Sequence, residues 1–220
     1  MSGIQQNFAY GRSFGPPYGW PVANIGDAYG GGFFAGQINV SGTKYNLVVS
    51  PKASGESSSI RWDASGTTRT TGITSVINGP ANSAALAALG VDYQAATFCE
   101  SLTIGGYSDW YLPAFNELEV LYYYLKPSTT ANTSFSNPGS NANAVAPEPI
   151  NTLYTSGNPA QTSATAFKSG GSEAIIEYIN WTSTEYSAAN AFVQTFDNGA
   201  QYTSSKFNNN CVRAIRRVLA

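Results

Sequence analysis

The stretch 105-GGYSDWYLPAFNELEVLYYYLKP-127 carries the clearest structural signal in the chain. Gly105-Gly106 marks a turn. Beyond it Phe115, Leu118, Leu121, Tyr122 and Leu125 recur on one face of a helix. Pro113 suits a first-turn position, and Pro127 stops the helix. Between turn and helix lies a dense aromatic run. Asp109 is short and placed to hydrogen-bond nearby backbone amides, as Asp does in turns. Trp110 and Leu112 offer large apolar area for the space between helices and a sheet. Asp109, Trp110 and the later Trp181 therefore read as structural fasteners rather than a site.

Working back from this segment, residues 82–102 repeat apolar side chains at helical spacing from Ala84 to Cys99. The spacing predicts one helix of about five turns, capped by Asn82 or Ser83 and either broken or weakened at Gly90. Residues 53–80 read as loop, with Trp62 as an anchor beneath it. The segment 33-FFAGQINVSGTKYNLVVSPK-52 predicts two strands joined by Ser41-Gly42-Thr43. Residues 1–30 are punctuated by Gly and Pro among aromatics. They read either as an attachment arm docking on a neighbouring subunit or as a coil lying on its own domain.

Working forward, residues 128–172 form a long polar insert, expected to lie on a surface. Strands follow at 178–183, 190–196 and 201–207, with Asp197-Asn198-Gly199 as a hairpin turn. A final strand is expected over 211–219. The first strands would pair with the last. The expected class is α+β: two helices packed on a twisted antiparallel sheet, with a long loop insert. The expected organisation is an arm over residues 1–30 and a domain over residues 31–220.

Composition narrows the function classes. The chain has 220 residues, enough for one good-sized core. Charged residues make up 11%, less than half the usual share, and the net charge is −2. Neither nucleic acid nor membrane insertion is implied. There is no histidine, which removes Ser-His-Asp and Cys-His catalysis and most zinc sites, so no enzyme and no cofactor is expected. Cys99 and Cys211 are too far apart for a CxxC site and form either one disulfide or two buried thiols. The first residues, MSGIQQNFAYGRSFGPP, lack the charged start and apolar core of a signal peptide.

Several short pieces occur in a telling order: Cys99-Glu100-Ser101-Leu102, GGYSDWYLP, Asn116-Glu117-Leu118, 181-WTSTEYS-187, Asp197-Asn198-Gly199 and 212-VRAIRRV-218. The set resembles C-type-lectin-like domains of the formylglycine-generating-enzyme and Lcl-like type. Pro159-Ala160-Gln161-Thr162-Ser163 and the DWYLP helix bring it nearest to versions in bacteriophage structural proteins. The resemblance covers about residues 30–220 and implies a C-type-lectin-like fold. It also implies that Cys99 and Cys211 serve structure, because the corresponding elements are often disulfide-linked. Calcium-lectin triplets are missing; the nearest match, Glu148-Pro149-Ile150-Asn151, has the wrong spacing, and no metal site is expected.

In related phage tail adhesins the terminal strands and loops display the ligand-binding surface. The resemblance places that surface between Trp181 and Arg213. The segment there is rich in Tyr, Asn, Ser and Gln, the side chains of adaptable paratopes. Tyr186, Asn190, Gln194, Asn198, Gln201, Tyr202, Ser204, Lys206, Asn208, Asn209 and Asn210 are the candidate ligand-binding residues. Of these, Tyr186, Tyr202, Lys206, Asn208, Asn209 and Asn210 are expected to be exposed, while Phe192 and Phe196 are expected in the core. The expected role is a virion protein, assembled in the host cytoplasm and extracellular after lysis. It would be a tail- or fibre-associated, receptor-binding adhesin that attaches to a host glycan or protein. The arm would hold other virion proteins, and the chain would be a homo-oligomer, as phage adhesins are often trimers. The alternative is a non-adhesive component of baseplate, tail or capsid.

Overall fold

The structure is a computed structural model and describes residues 23–133, 140–145 and 153–220. Of the arm expected over residues 1–30, residues 1–22 therefore lie outside the described residues. Residues 23–30 belong to the domain: Gly26 donates its N–H to the Phe34 carbonyl at 2.8 Å, and Ile25 packs on the core.

The first sheet starts as a meander of β1 (Ala28–Tyr29), β2 (Gly32–Val40) and β3 (Thr43–Val49). The two-residue turn between β2 and β3 holds Ser41 and Gly42 at φ of 52° and 90°. Positive φ at both positions matches the twist of a tight hairpin, and Asn39 Oδ1 accepts the Gly42 N–H at 2.8 Å. A single helical turn, α1 (Lys52–Gly55), leads into β4 (Glu56–Arg61). The segment 56-ESSSIR-61 has no apolar alternation and reads as loop. Pairing with a later strand, rather than its own propensity, makes it a strand.

The single helix expected over 82–102 is two helices, α2 (Gly79–Leu89) and α3 (Gln94–Glu100). Gly90 at φ 129° turns the chain between them. The start lies at Gly79-Pro80, earlier than Asn82 or Ser83, and both of those side chains are buried. α4 (Phe115–Leu125) follows with the expected apolar face. Pro113 lies just outside it, because Glu117 folds back to accept the Ala114 N–H at 2.7 Å and fixes the first turn there. α4 approaches β2 closely at Gly36, where an added Cβ would come within 2.7 Å of Val120 Cγ1.

The described part of the insert does not merely cover a surface. Tyr154 and the 3-10 turn Thr165–Phe167 place aromatic rings in the core, with Phe167 edge-on to Phe33 at 5.4 Å. Then come β5 (Ile179–Glu185), β6 (Asn190–Thr195), β7 (Gln201–Ser205), β8 (Asn209–Arg213) and β9 (Ile215–Leu219). The architecture is α+β, with four helices and two sheets among the described residues, of order β1-β2-β3-β9 and β4-β8-β5-β6-β7. The pairing is antiparallel except for β5 with β8.

The final strand expected over 211–219 is thus two strands in different sheets. The chain changes sheet at Ala214, whose carbonyl accepts from Ser50 and whose N–H donates to Gly55. Residues 211–216 are all buried, on both faces of the chain, although Arg213 and Arg216 interrupt the apolar side chains. Val212 and Ala214 join the cluster around Trp62, Trp110 and Trp181, whereas Ile215 joins the cluster around Tyr122, Leu125 and Phe196. Pairing of β3 with β9 brings the early strands to the last one.

The DWYLP run is pinned where the sheets meet. Tyr111 and Ile215 exchange backbone bonds at 2.8 and 3.1 Å. Leu112 N–H donates to Ser83 Oγ, Pro113 carbonyl accepts from Ser183, and Phe115 N–H donates to Thr184 Oγ1. Trp110 and Trp181 are fully buried, and each indole N–H reaches a backbone carbonyl. Asp109 fastens differently from expectation. Its carboxylate holds Arg216 of β9 through two bonds of 2.7 and 2.8 Å instead of bonding nearby amides. Arg217 donates to Glu117 at 2.6 Å, and buried Arg213 bridges Glu56 and Glu173 at 3.0 and 2.9 Å. The arginines of 212-VRAIRRV-218 thus tie the last two strands to the rest of the domain.

Candidate binding surface

One end of the five-stranded sheet gathers three loops around Lys206. The backbone of Lys206 donates to the Ala189 carbonyl and accepts from Asp63 N–H, each at 3.0 Å. Its side chain, 1% exposed, donates to Glu185 Oε1 at 2.5 Å and to the Arg69 carbonyl at 2.9 Å, and sits over the Trp62 ring. A buried ammonium must have such partners. Residues 63–69, 186–190 and 206–209 are thereby joined at one point.

The segment 63–78 has no regular secondary structure and is held by side chains from other elements. Glu185, at the end of β5, accepts the N–H groups of Thr71 and Gly72 at 2.8 Å, and its own N–H donates to the Ile73 carbonyl. Thr184 Oγ1 and Asn82 Nδ2 both donate to the Ser75 carbonyl, and Arg217 donates to the Ile77 carbonyl. Arg69 grips Asp63 through two bonds of 2.9 and 3.1 Å, reaches Asp92 and lies over the Tyr93 ring. Burial pushes the Glu185 carboxyl up, but hydrogen bonds from Lys206, Thr71 and Gly72 outweigh it and leave it below the usual range. Asp63 follows the same pattern, with Arg69 and Ser65 overcoming the effect of burial.

The candidate residues separate into three groups. Tyr186, Asn208 and Asn209 are exposed and close around this end, and Asn190 is half-buried beside them. Tyr186 leans on Phe192, which is half-buried between it and Phe115 instead of lying in the core; Phe196 is in the core. Tyr202 is exposed farther along edge strand β7, opposite Val193 of β6, and Asn198 is half-buried in the β6–β7 turn. Gln194, Gln201, Ser204, Lys206 and Asn210 are buried. For Lys206 and Asn210 this corrects the expected exposure. Lys206 is drawn in by Glu185, and Asn210 donates to Ser204 Oγ at 3.2 Å within the sheet. Gln194 and Gln201 form a row with Asn180 across three strands, on the face opposite Trp181 and Val193.

Cys99 and Cys211 are both buried and both free, so the disulfide implied by the resemblance is not formed. Cys99 packs in the Trp110 cluster, where burial pushes its thiol well up. Cys211 donates to the Ser58 carbonyl at 3.5 Å, and burial pushes its thiol up to about 11. Both act as small apolar side chains. Among the described residues no three Cys, Asp or Glu side chains are grouped as metal ligands would be, and no helix is long and apolar enough to cross a membrane. The Glu148-Pro149-Ile150-Asn151 segment lies outside the described residues.

Sequence reasoning missed Glu185 and the loop it holds. The charged residues Glu185 and Lys206 were the available signal, since a charge within an otherwise apolar or neutral strand region calls for a partner. Among known families, the sequence model of the Lcl C-terminal domain matches residues 52–216. A comparison with curated proteins finds no match. A family match over well more than half of the chain is decisive: the protein belongs to the Lcl C-terminal domain family.

Proposed function

We propose that this member of the Lcl C-terminal domain family is a non-catalytic, receptor-binding virion protein of a bacteriophage, with a C-type-lectin-like arrangement of its sheets and helices. The loop-bearing end of the five-stranded sheet attaches to a host-surface glycan or protein. The observation that carries this reading is the character of that end. Tyr186, Asn208 and Asn209 face solvent there, while Lys206, Glu185, Asp63 and Arg69 are bonded to one another or to backbone. What remains available is an aromatic ring and amides, with exposed Arg61 beside them, the chemistry of a polar paratope. The virion assignment rests on the resemblance of the DWYLP and PAQTS segments and on the low charge of the chain. The homo-oligomer, and an arm contacting other virion proteins, follow from the same resemblance.

The test is binding of purified protein to a panel of bacterial cells and to an array of neutral and anionic glycans. Wild type is expected to bind at least one of these surfaces. Tyr186→Ala combined with Asn209→Ala is expected to weaken that binding at least tenfold. Equal binding by both proteins would move the site elsewhere. No binding by wild type would favour the non-adhesive virion component.

A further inference from the structure

We propose that the buried Lys206–Glu185 pair is a clamp that sets residues 66–74 as a wall of the same surface as Tyr186, Asn208 and Asn209. This inference rests on the binding role proposed above. Between Asp63 and Gly79 the chain forms no strand or helix, so no ladder of backbone bonds fixes it. Its middle is held instead by one carboxylate. Glu185 takes the N–H groups of Thr71 and Gly72 and returns its own N–H to Ile73. Lys206 closes the other side by donating to the Arg69 carbonyl.

The clamp and the surface are adjacent in the chain at both of its ends. Glu185 precedes exposed Tyr186, and Lys206 is followed by Phe207 and the exposed pair Asn208 and Asn209. Holding the loop therefore also fixes where it lies relative to those side chains. Gly66, Thr67, Thr68, Thr70 and Thr74 are exposed on it. The wall so formed offers hydroxyls and backbone groups; Arg61, across from Asn209, is the exposed cation beside it. Neither Lys206 nor Glu185 meets solvent, so both act as positioning residues.

The test combines local hydrogen exchange with binding. In Glu185→Leu, which removes the acceptor, the Thr71 and Gly72 amides are expected to exchange at least tenfold faster than in wild type, relative to amides of β5 and β6. Glu185→Leu with Lys206→Met removes both charges, is expected to restore global stability toward wild type and to leave the same two amides fast. Thr68→Ala with Thr70→Ala, which leaves the clamp intact, is expected to weaken binding to whichever cell or glycan wild type binds, with an unchanged unfolding midpoint. Unchanged exchange at Thr71 and Gly72 in both clamp variants overturns the clamp. Acceleration spread evenly over all amides overturns it as well, because that signals general destabilisation. Full binding by the threonine variant overturns the wall. A wild type that binds nothing overturns the function proposed above, and the wall with it, while the exchange data still decide the clamp.

Discussion

Two regions of the molecule rely on ion pairs and use them in different ways. At the junction of the sheets, Asp109–Arg216 and Glu117–Arg217 reinforce a segment already fixed by Trp110, Leu112 and the backbone exchange between Tyr111 and Ile215. At the loop end, Lys206–Glu185 holds a segment that has no ladder of its own. An ion pair beside a packed core adds to structure that apolar burial has made. An ion pair beneath a loop stands in for that burial. The first kind of region is expected to resist change as a unit, and the second to open locally.

Substitutions separate the two. Trp110→Ala removes a fully buried indole between helices and sheets and is expected to cost about 3–5 kcal/mol, read as a lowered denaturant midpoint. A midpoint unchanged by this substitution breaks the reading of the segment as a fastener. Arg213→Ala leaves Glu56 and Glu173 without their shared cation and is expected to cost about 3–5 kcal/mol by the same measurement. Asp109→Asn is expected to cost only about 1 kcal/mol, because the Asp109 side chain is 55% exposed and its pair with Arg216 is screened by water. Tyr186→Ala with Asn209→Ala is expected to cost no more than about 1 kcal/mol, from the lost contact of Tyr186 with Phe192, while weakening binding at least tenfold.

Acid sharpens the same comparison. The Glu185 carboxyl lies below its unfolded value of about 4.3, so its contribution is fully present above that pH. That contribution is lost as the pH falls through the lower, folded value. Glu117 has the opposite sign: burial raises it, and its contacts with Arg217, Ala114 and Tyr111 do not fully offset this. Glu185→Gln is therefore expected to flatten the loss of stability on acidification below about pH 4, measured by denaturant titration across pH. An acid limb as steep as that of wild type would remove Glu185 from the account.

The junction was legible in the sequence because it is written in apolar mass and turn chemistry. Trp110, Leu112 and the face of α4 announce a packed segment, and Ser41-Gly42 announces a hairpin. The partner of Asp109 was not legible, since Arg216 is 107 residues away and joins it only through the fold. The same holds for β4, whose serines become a strand by pairing with β8. The split at Ala214 was hidden because burial on both sides removes the alternation that would mark a strand's two faces. At the candidate surface, Tyr186, Asn208 and Asn209 could be read as exposed from their polar neighbourhood. Lys206 could not be read as buried, because its burial depends on a carboxylate twenty-one residues upstream that meets it across the sheet.

Residues 107–113 lock the two sheets together, while the loop end stands apart as a separable surface. Native-state hydrogen exchange on wild-type protein tests this claim most directly. The amides of Tyr111 and Ile215 are expected to exchange only through global unfolding, with the full denaturant dependence of that transition. Those of Thr71 and Gly72 are expected to exchange faster, through an opening that depends little on denaturant. Exchange of Tyr111 and Ile215 at the rate of Thr71 and Gly72, or faster, would contradict the claim.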